Sequence, residues 1–291
     1  MRTKIAITGA EGMLGIELVK ALKEDCRLFP LTLKKESALG IKYYQADILK
    51  SEQLSQLLLR LKPDVIIHAA ALTDVDDCEL HPDIAYQVNV NGTRNVALVA
   101  KLLNVPLLYV STDFVFNGER TELYSAEATP CPISVYGFTK YMGERMVREY
   151  LSDWWIVRTS WLFGAHGKNF VNTILRLAEE KETITMIGDQ YGCPTYAADL
   201  AQAIKRIVKL RKYGTYHVCN KGVCNWYGFA QEIIRQKNLK LKLCKINSSE
   251  SSRPAERPKF SGMDTSNFEK SHKFEMRSWR EALKEYLGGE K

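Results

Sequence analysis

The stretch KIAITGAEGMLGIELVKALK (Lys4–Lys23) decides the fold. Its opening, KIAIT (Lys4–Thr8), is a short apolar run bounded by glycine, which predicts a buried strand. From about Gly12 to Lys23, Leu14, Leu18, Val19 and Leu22 share one face at helical spacing, so a helix follows at once. Between strand and helix, Gly9, Gly12 and Gly15 fall three apart, as G-x-x-G-x-x-G. A tight turn and a close approach to a pyrophosphate both require residues without Cβ. The helix N-terminus adds free N–H groups and the positive end of its dipole. Three glycines alone also suit a plain strand–helix turn. At the head of the first strand–helix unit they point to a dinucleotide, held by Gly9, Gly12, Met13, Leu14 and Gly15.

The same rhythm continues outward. RLFPLTL and YYQAD read as strands, and Ser51 to Leu61 as a helix with Ser51 at its N-cap. DVIIHAA (Asp64–Ala70) is a strongly apolar strand, Ile84 to Leu103 one long helix, and LLYVST (Leu107–Thr112) another strand. Ser134 to Tyr150 is helical and WWIVRTS (Trp154–Ser160) a strand, with Trp154 and Trp155 read as packing. Strands separated by helices imply a parallel sheet covered on both faces, and right-handed crossovers make it an α/β doubly wound (Rossmann) fold. After about Gly164 the pattern loosens. Helices are expected over Asn169 to Glu180, Ala197 to Leu210, Trp226 to Gln236 and Ser278 to Leu287. GTYHVCN (Gly214–Asn220) and LKLCKI (Leu241–Ile246) read as strands, and Asn247–Gly262 as a long loop. The expected division is 1–163 for the cofactor and catalytic residues and 164–291 for a smaller α/β part that mainly binds substrate, with the chain crossing between them.

Composition excludes several classes. No apolar run approaches the ~18–20 residues of a membrane span. The seven cysteines are scattered and form no C-x-x-C pair, so neither a zinc ribbon nor a disulfide framework fits, and no metal site is expected. Reduced thiols and the lack of a signal h-region point to the cytoplasm. The net charge of +7 is concentrated after Arg235. It lacks the basic–aromatic interleaving of a nucleic-acid binder and suits a small anionic ligand instead.

An acidic residue ending the second strand would bind the adenosine 2′-hydroxyl of NAD. Arg27 to Lys35 contains none; Lys34 and Lys35 follow the strand and favour a 2′-phosphate, hence NADPH, with NADH still usable. Asp47 and Ile48 end the third strand, where an adenine can be contacted. Ala69, Ala70 and Ala71 leave room at the end of the fourth. Ser111, Thr112 and Asp113 close the fifth strand, and Tyr136 and Lys140 stand four apart at the start of a helix, on one face. An ammonium there favours phenolate and lowers the tyrosine pKa, and the Thr112 hydroxyl can hold a carbonyl oxygen as it gains charge.

With TGAEGMLG, YVSTDFVFNG, PISVYGFTKYMGE, VRTSWLFG, GDQYGCPT and RPKFS in this order, the chain resembles the extended short-chain dehydrogenase/reductase family, and in it the branch of dTDP-4-dehydrorhamnose reductases. The resemblance implies a catalytic triad of Thr112, Tyr136 and Lys140. It implies NADPH-dependent reduction of a dTDP-4-keto-6-deoxy-L-sugar to dTDP-L-rhamnose, for surface polysaccharide. Substrate contacts are implied at Thr73, Val75, Thr112, Asp113, Trp161, Asn169 and Arg257, with Lys140 also on the nicotinamide ribose. Arg253, Arg257 and Lys259 are candidates for the substrate diphosphate. A homodimer is left open. Glu17 matches one carboxylate of a family interface metal site, but the full ligand set does not carry over.

His68 is expected to be a satisfied core histidine, and Cys193, without a nearby base, not a nucleophile. Two rivals remain at this stage. A dehydratase would need an Asp-Glu pair after Thr112, whereas Asp113 is followed by Phe114, and an epimerase would retain NAD. A non-catalytic regulatory subunit shares the same branch.

Overall fold

The computed structural model describes residues 2–33 and 42–289. Lys34 and Lys35 lie outside the described residues. The chain runs β1 (Lys4–Thr8), α1 (Met13–Leu22), β2 (Arg27–Thr32), β3 (Tyr44–Gln45), α2 (Ser51–Leu61), β4 (Val65–His68), α3 (Val75–Leu80), α4 (Pro82–Tyr86) and α5 (Thr93–Leu103). It continues through β5 (Leu107–Thr112), α6 (Val135–Tyr150), β6 (Trp154–Thr159), β7 (Leu162–Phe163), α7 (Phe170–Glu180), β8 (Thr183–Ile187), β9 (Tyr191–Gly192) and β10 (Thr195–Tyr196). The remainder is α8 (Ala197–Leu210), β11 (Gly214–His217), β12 (Cys224–Asn225), α9 (Trp226–Lys237), β13 (Lys242–Ile246), α10 (Ser266–His272) and α11 (Trp279–Gly288).

Seven strands form one sheet in the order β11-β6-β5-β4-β1-β2-β3, and every pair is parallel. This is the expected doubly wound Rossmann-type fold. Leu14, Leu18 and Leu22 of α1 pack with Leu200, Ile204 and Ile207 of α8 on one face. Leu54 and Leu58 of α2, Val96 and Ala100 of α5 and Val147 of α6 cover the other. The strand order reverses direction between β1 and β4, the place where open α/β sheets bind ligands. Beside the sheet, Phe163, Ile174, Phe229, Ile233, Trp279 and Leu283 form a second core, shared by α7, α9 and α11. The short parallel pair of β8 with β13 lies in this part of the chain. The edge strand β11 comes from beyond residue 164, so the sheet itself draws on both halves of the chain.

Three local expectations are corrected. Ser51 is the first residue of α2 rather than its cap, and Lys50 holds the cap position without a side-chain bond. Asp47 starts the turn earlier, with its carboxylate accepting from Leu49 N at 2.9 Å and its carbonyl from Lys50 N at 3.0 Å. The long helix from Ile84 is really α4 and α5 joined by a π-helical turn, Gln87–Gly92. It begins at Pro82, whose missing N–H costs nothing in a first turn. The turn carries Asn89, whose amide bonds to Leu72 and Thr139. Among the described residues no helix is long and apolar enough to cross a membrane.

Candidate active site

The glycine loop is pressed against the end of β4. Gly9 has φ +67°, and a Cβ there would stand 2.7–2.9 Å from the backbone of Ala69 and Ala70. A Cβ on Gly15 would meet the Gly9 carbonyl oxygen at 2.1 Å, so helix and loop touch. Both glycines are therefore obligatory for the backbone path. The loop opens into a cavity of about 460 Å³, lined by Gly9, Gly12, Leu31, Thr32, Asp47, Ile48 and Ala69–Ala71, among others. Met13 and Leu14 open α1 directly after the loop. Leu14 is buried in the core with its side chain turned from the cavity, and Met13 lies against Gly164. Their N–H groups, in the first turn of α1, are what such a helix presents to an anion.

Polar side chains brace this crevice from below. His68 is fully buried, with Nδ1 2.7 Å from the Thr8 hydroxyl and Nε2 3.1 Å from the Thr93 hydroxyl. Burial, aided by the Lys140 charge, pushes its pKa down to about 3, so it is a neutral core residue as expected. Asn89, inside the π turn, accepts from Leu72 N at 2.9 Å and donates to Leu72 O at 3.0 Å and to Thr139 Oγ1 at 3.1 Å. One side chain thus clamps the segment after Ala71 and ties it to α6. π turns recur where a side chain must be re-aimed at a site.

Thr112 ends β5, and Tyr136 and Lys140 follow the Ser134 cap of α6, whose hydroxyl accepts from Gly137 N at 3.2 Å. All three side chains are buried. The aim of α6 is fixed by a buried ion pair: Arg158 of β6 grips Glu144 through Nε and a terminal amino group, both at 2.7 Å. Ser111 donates to the same carboxylate at 2.7 Å. Lys140 Nζ donates to Val110 O at 2.7 Å and lies 4.2 Å from the centroid of the Tyr109 ring. The electrostatics differ from the expectation. Burial dominates: it drives the Tyr136 pKa up, against the hydrogen bond with Thr112, and the Lys140 pKa down to about 7, against the pull of Glu144. The phenol and amine are each held toward their neutral forms because the site is dry.

Thr112 donates to Asp113 Oδ1 at 3.0 Å, and Ser261 donates to Asp113 Oδ2 at 2.5 Å. Burial raises the Asp113 pKa to about 6, with the two hydroxyls working against it. Ser261 N in turn donates to Tyr191 O, and Tyr191 N to Lys259 O, both at 2.8 Å. The STDFVF, DQYGCPT and RPKFS segments therefore meet at one buried carboxyl. Val75 packs in the same apolar cluster as Tyr136, Phe114 and Cys78. Trp161 sits at φ +45°, a costly conformation for a large side chain, and stacks flat on Trp226 with centroids 3.5 Å apart.

The other expected contact residues have protein partners or lie at the surface. Asn169 caps α7, accepting from Asn172 N at 3.0 Å and donating to Gly164 O at 2.8 Å, which occupies both ends of its amide. Arg257 donates to Asp76 Oδ2 at 2.7 Å and to Ala255 O at 2.8 Å. So engaged, Arg257 ties the loop to α3. Arg253, Lys259 and Thr73 are exposed. Cys193 is buried in a cluster with Cys219 and Met263, and all seven cysteines are free. Sequence reasoning missed Asn89, Ser261, Trp226 and Glu11. Asn89 and Ser261 carry no local pattern, since their partners lie far away in sequence. Glu11 stands in the glycine loop and not at the end of β2, where the dinucleotide pattern places an acid.

Residues 3–290 match the family described as RmlD substrate binding domain. The spore coat polysaccharide biosynthesis protein SpsK of Bacillus subtilis is 36% identical over 98% of this chain and 97% of its own length. A dTDP-4-dehydrorhamnose reductase of Aggregatibacter actinomycetemcomitans is 35% identical over 97% of each chain. The crystal structure of dTDP-4-dehydrorhamnose reductase from Bacillus anthracis in complex with NADP superposes with a TM-score of 0.93 at 39% identity, covering 99% of both chains.

Proposed function

The chain belongs to the RmlD substrate binding domain family, and from that premise we propose that it is the NADPH-dependent oxidoreductase that converts dTDP-4-dehydro-L-rhamnose to dTDP-L-rhamnose. The observation that carries this reading is the buried Thr112–Tyr136–Lys140 group beside a glycine loop that touches the end of β4. The cradle fits a dinucleotide: its floor leaves no room for a Cβ, and the α1 N-terminus faces it.

Gly9, Gly12, Asp47, Ile48 and Ala69–Ala71 would hold the adenosine and pyrophosphate end. When bound, the nicotinamide supplies a hydride to the sugar carbonyl carbon. The chain manages the oxygen that gains charge. Tyr136, kept protonated by burial, donates its proton to that oxygen. Thr112 has one hydrogen to give, and the substrate oxygen replaces Asp113 as its acceptor. Lys140 as ammonium offsets the phenolate that remains and donates to the nicotinamide ribose. The dry pocket strengthens each of these interactions.

Residues 164–291 supply most of the sugar-nucleotide site, through Trp226, which stacks on Trp161 of the first part, and the Tyr191 and Ser261 segments. Arg253 and Lys259, both exposed, suit the diphosphate. Seven free cysteines suit the cytoplasm. A homodimer belongs to this reading, and Leu98 and Leu102, exposed one turn apart on α5, are suited to an apolar contact with a second copy.

The test is a coupled assay. Purified protein, NADPH and dTDP-4-dehydro-L-rhamnose should yield NADP⁺ and dTDP-L-rhamnose in equal amounts. Binding of NADPH without turnover of this sugar would overturn the reductase assignment in favour of a regulatory role.

A further inference from the structure

The adenosine end of the cavity holds a carboxylate that β2 does not supply. Thr32, the last residue of β2, is buried, and its hydroxyl donates to Glu11 Oε2 at 2.8 Å. The loop carrying Glu11 is itself pinned to β2, since Ala10 N donates to Leu31 O at 3.1 Å. Glu11, Thr32, Leu33 and Asp47 line the same cavity as Gly9 and Gly12. The end of β2 is where a dinucleotide fold reads the ribose 2′ position: an acid there accepts from a 2′-hydroxyl, a cation there accepts a 2′-phosphate. Here the acid arrives from the glycine loop and is held at the strand end by the Thr32 hydroxyl. Asp47 is a second carboxylate in the lining, and no lysine or arginine lines the cavity among the described residues.

We infer that Glu11 is the residue that reads the 2′ position of the cofactor. Its carboxylate accepts a hydrogen bond from the 2′-hydroxyl of NADH and repels the 2′-phosphate of NADPH. It restrains any preference for NADPH, so both cofactors serve this chain. The inference rests on the reading of this cavity as the adenosine end of the cofactor site.

The test is direct titration of NADH and NADPH by their fluorescence, without any sugar. The wild-type protein should bind the two within about tenfold of one another. Glu11→Gln keeps the length and removes the charge. It should tighten NADPH and weaken NADH, moving the ratio of dissociation constants at least about tenfold toward NADPH, as expected for one charge-assisted contact. Glu11→Asp keeps the charge but shortens the reach, and should weaken NADH without any gain for NADPH. An unchanged ratio in a folded Glu11→Gln protein, or a wild-type preference for NADPH beyond a hundredfold, overturns the role of Glu11. Failure of the wild type to bind either dinucleotide overturns the cofactor reading instead.

Discussion

Ser261 and Asp113 are 148 residues apart, and the hydroxyl of one donates to the buried carboxyl of the other at 2.5 Å. That bond joins the C-terminal loop to the residue directly after Thr112, so the substrate side and the catalytic strand are aligned through one carboxyl. Ionised Asp113 accepts from both the Ser261 and the Thr112 hydroxyls, and so holds the loop against the strand end until the substrate oxygen takes the Thr112 hydrogen. Because the Asp113 pKa is raised to about 6, kcat/KM for the sugar should fall as pH drops through that value. Ser261→Ala removes a donor that favours the ionised form and should move the acid limb toward neutral pH. A limb that stays in place would show that Ser261 does not tune Asp113.

Tyr136→Phe should lose about 10²–10⁴-fold in turnover, the usual cost of removing a positioned general acid. NADPH binding, followed by fluorescence, should be retained, because the phenol ring and its edge-on contact with Phe114 remain. Near-normal turnover would remove Tyr136 from the mechanism.

Lys140, with its pKa lowered to about 7 by burial, must be an ammonium to act as proposed. In the free enzyme its charge is lost as pH rises through that value, so kcat/KM should decline on the alkaline side from near neutrality. Lys140→Arg cannot lose its charge and should abolish this limb even where its rate is lower. An alkaline limb that persists in the arginine variant would assign the titration to another group.

Arg257 and Asp76 form a partly buried pair at 2.7 Å, so their effects should be coupled rather than additive. Urea denaturation of Arg257→Ala, Asp76→Ala and the double variant should give an interaction energy of about 0.5–3 kcal/mol. Arg257→Ala should also raise KM for the dTDP-sugar through the loop it supports. Asp76→Ala should raise it similarly, although Asp76 carries the wrong charge to bind a diphosphate. A KM effect confined to the arginine would restore Arg257 as a direct ligand.

His68 has a folded pKa near 3 against about 6.5 in an unfolded chain. The unfolded state therefore binds more protons between those values, and stability falls as pH drops through 6.5. At pH 5 the group should cost about 2 kcal/mol relative to pH 7. His68→Gln should show a smaller loss of unfolding free energy over that interval than the wild type, even if its stability at pH 7 is lower. An identical slope would mean that His68 is protonated in the folded protein.

The parallel sheet and the residues at strand ends were legible in the sequence because such a sheet writes itself as apolar runs followed by glycines, small residues and hydroxyls. Gly9 and Thr112 lie in such positions, and Tyr136 and Lys140 show as a pair four apart at the start of a helix. What was not legible depends on partners distant in the chain. Arg257 looks like a free cation until Asp76 is placed beside it, and nothing local announces that Asn169 caps α7. The sign of the Tyr136 shift was missed for a related reason: spacing reveals a lysine nearby but not the degree of burial, which outweighs it.

The return of β11 to the edge of the main sheet has a consequence for engineering. The segments between β6 and β11 are spliced into the sheet's own path and do not form an appended module. A chimera joined at residue 163 would exchange β11 and α8 along with the intended specificity region. Leu18 and Leu22 would then face side chains they did not evolve to fit, and a mismatch in β11 would leave β6 as a raw edge open to aggregation. Recombination that keeps the scaffold whole must leave 197–218 native together with Phe268 and Met276, which pack in the same core as α1 and α8, and transplant two separate cassettes, 160–196 and 219–289. Both must come from one donor, because the Tyr191–Ser261 bond is made between them.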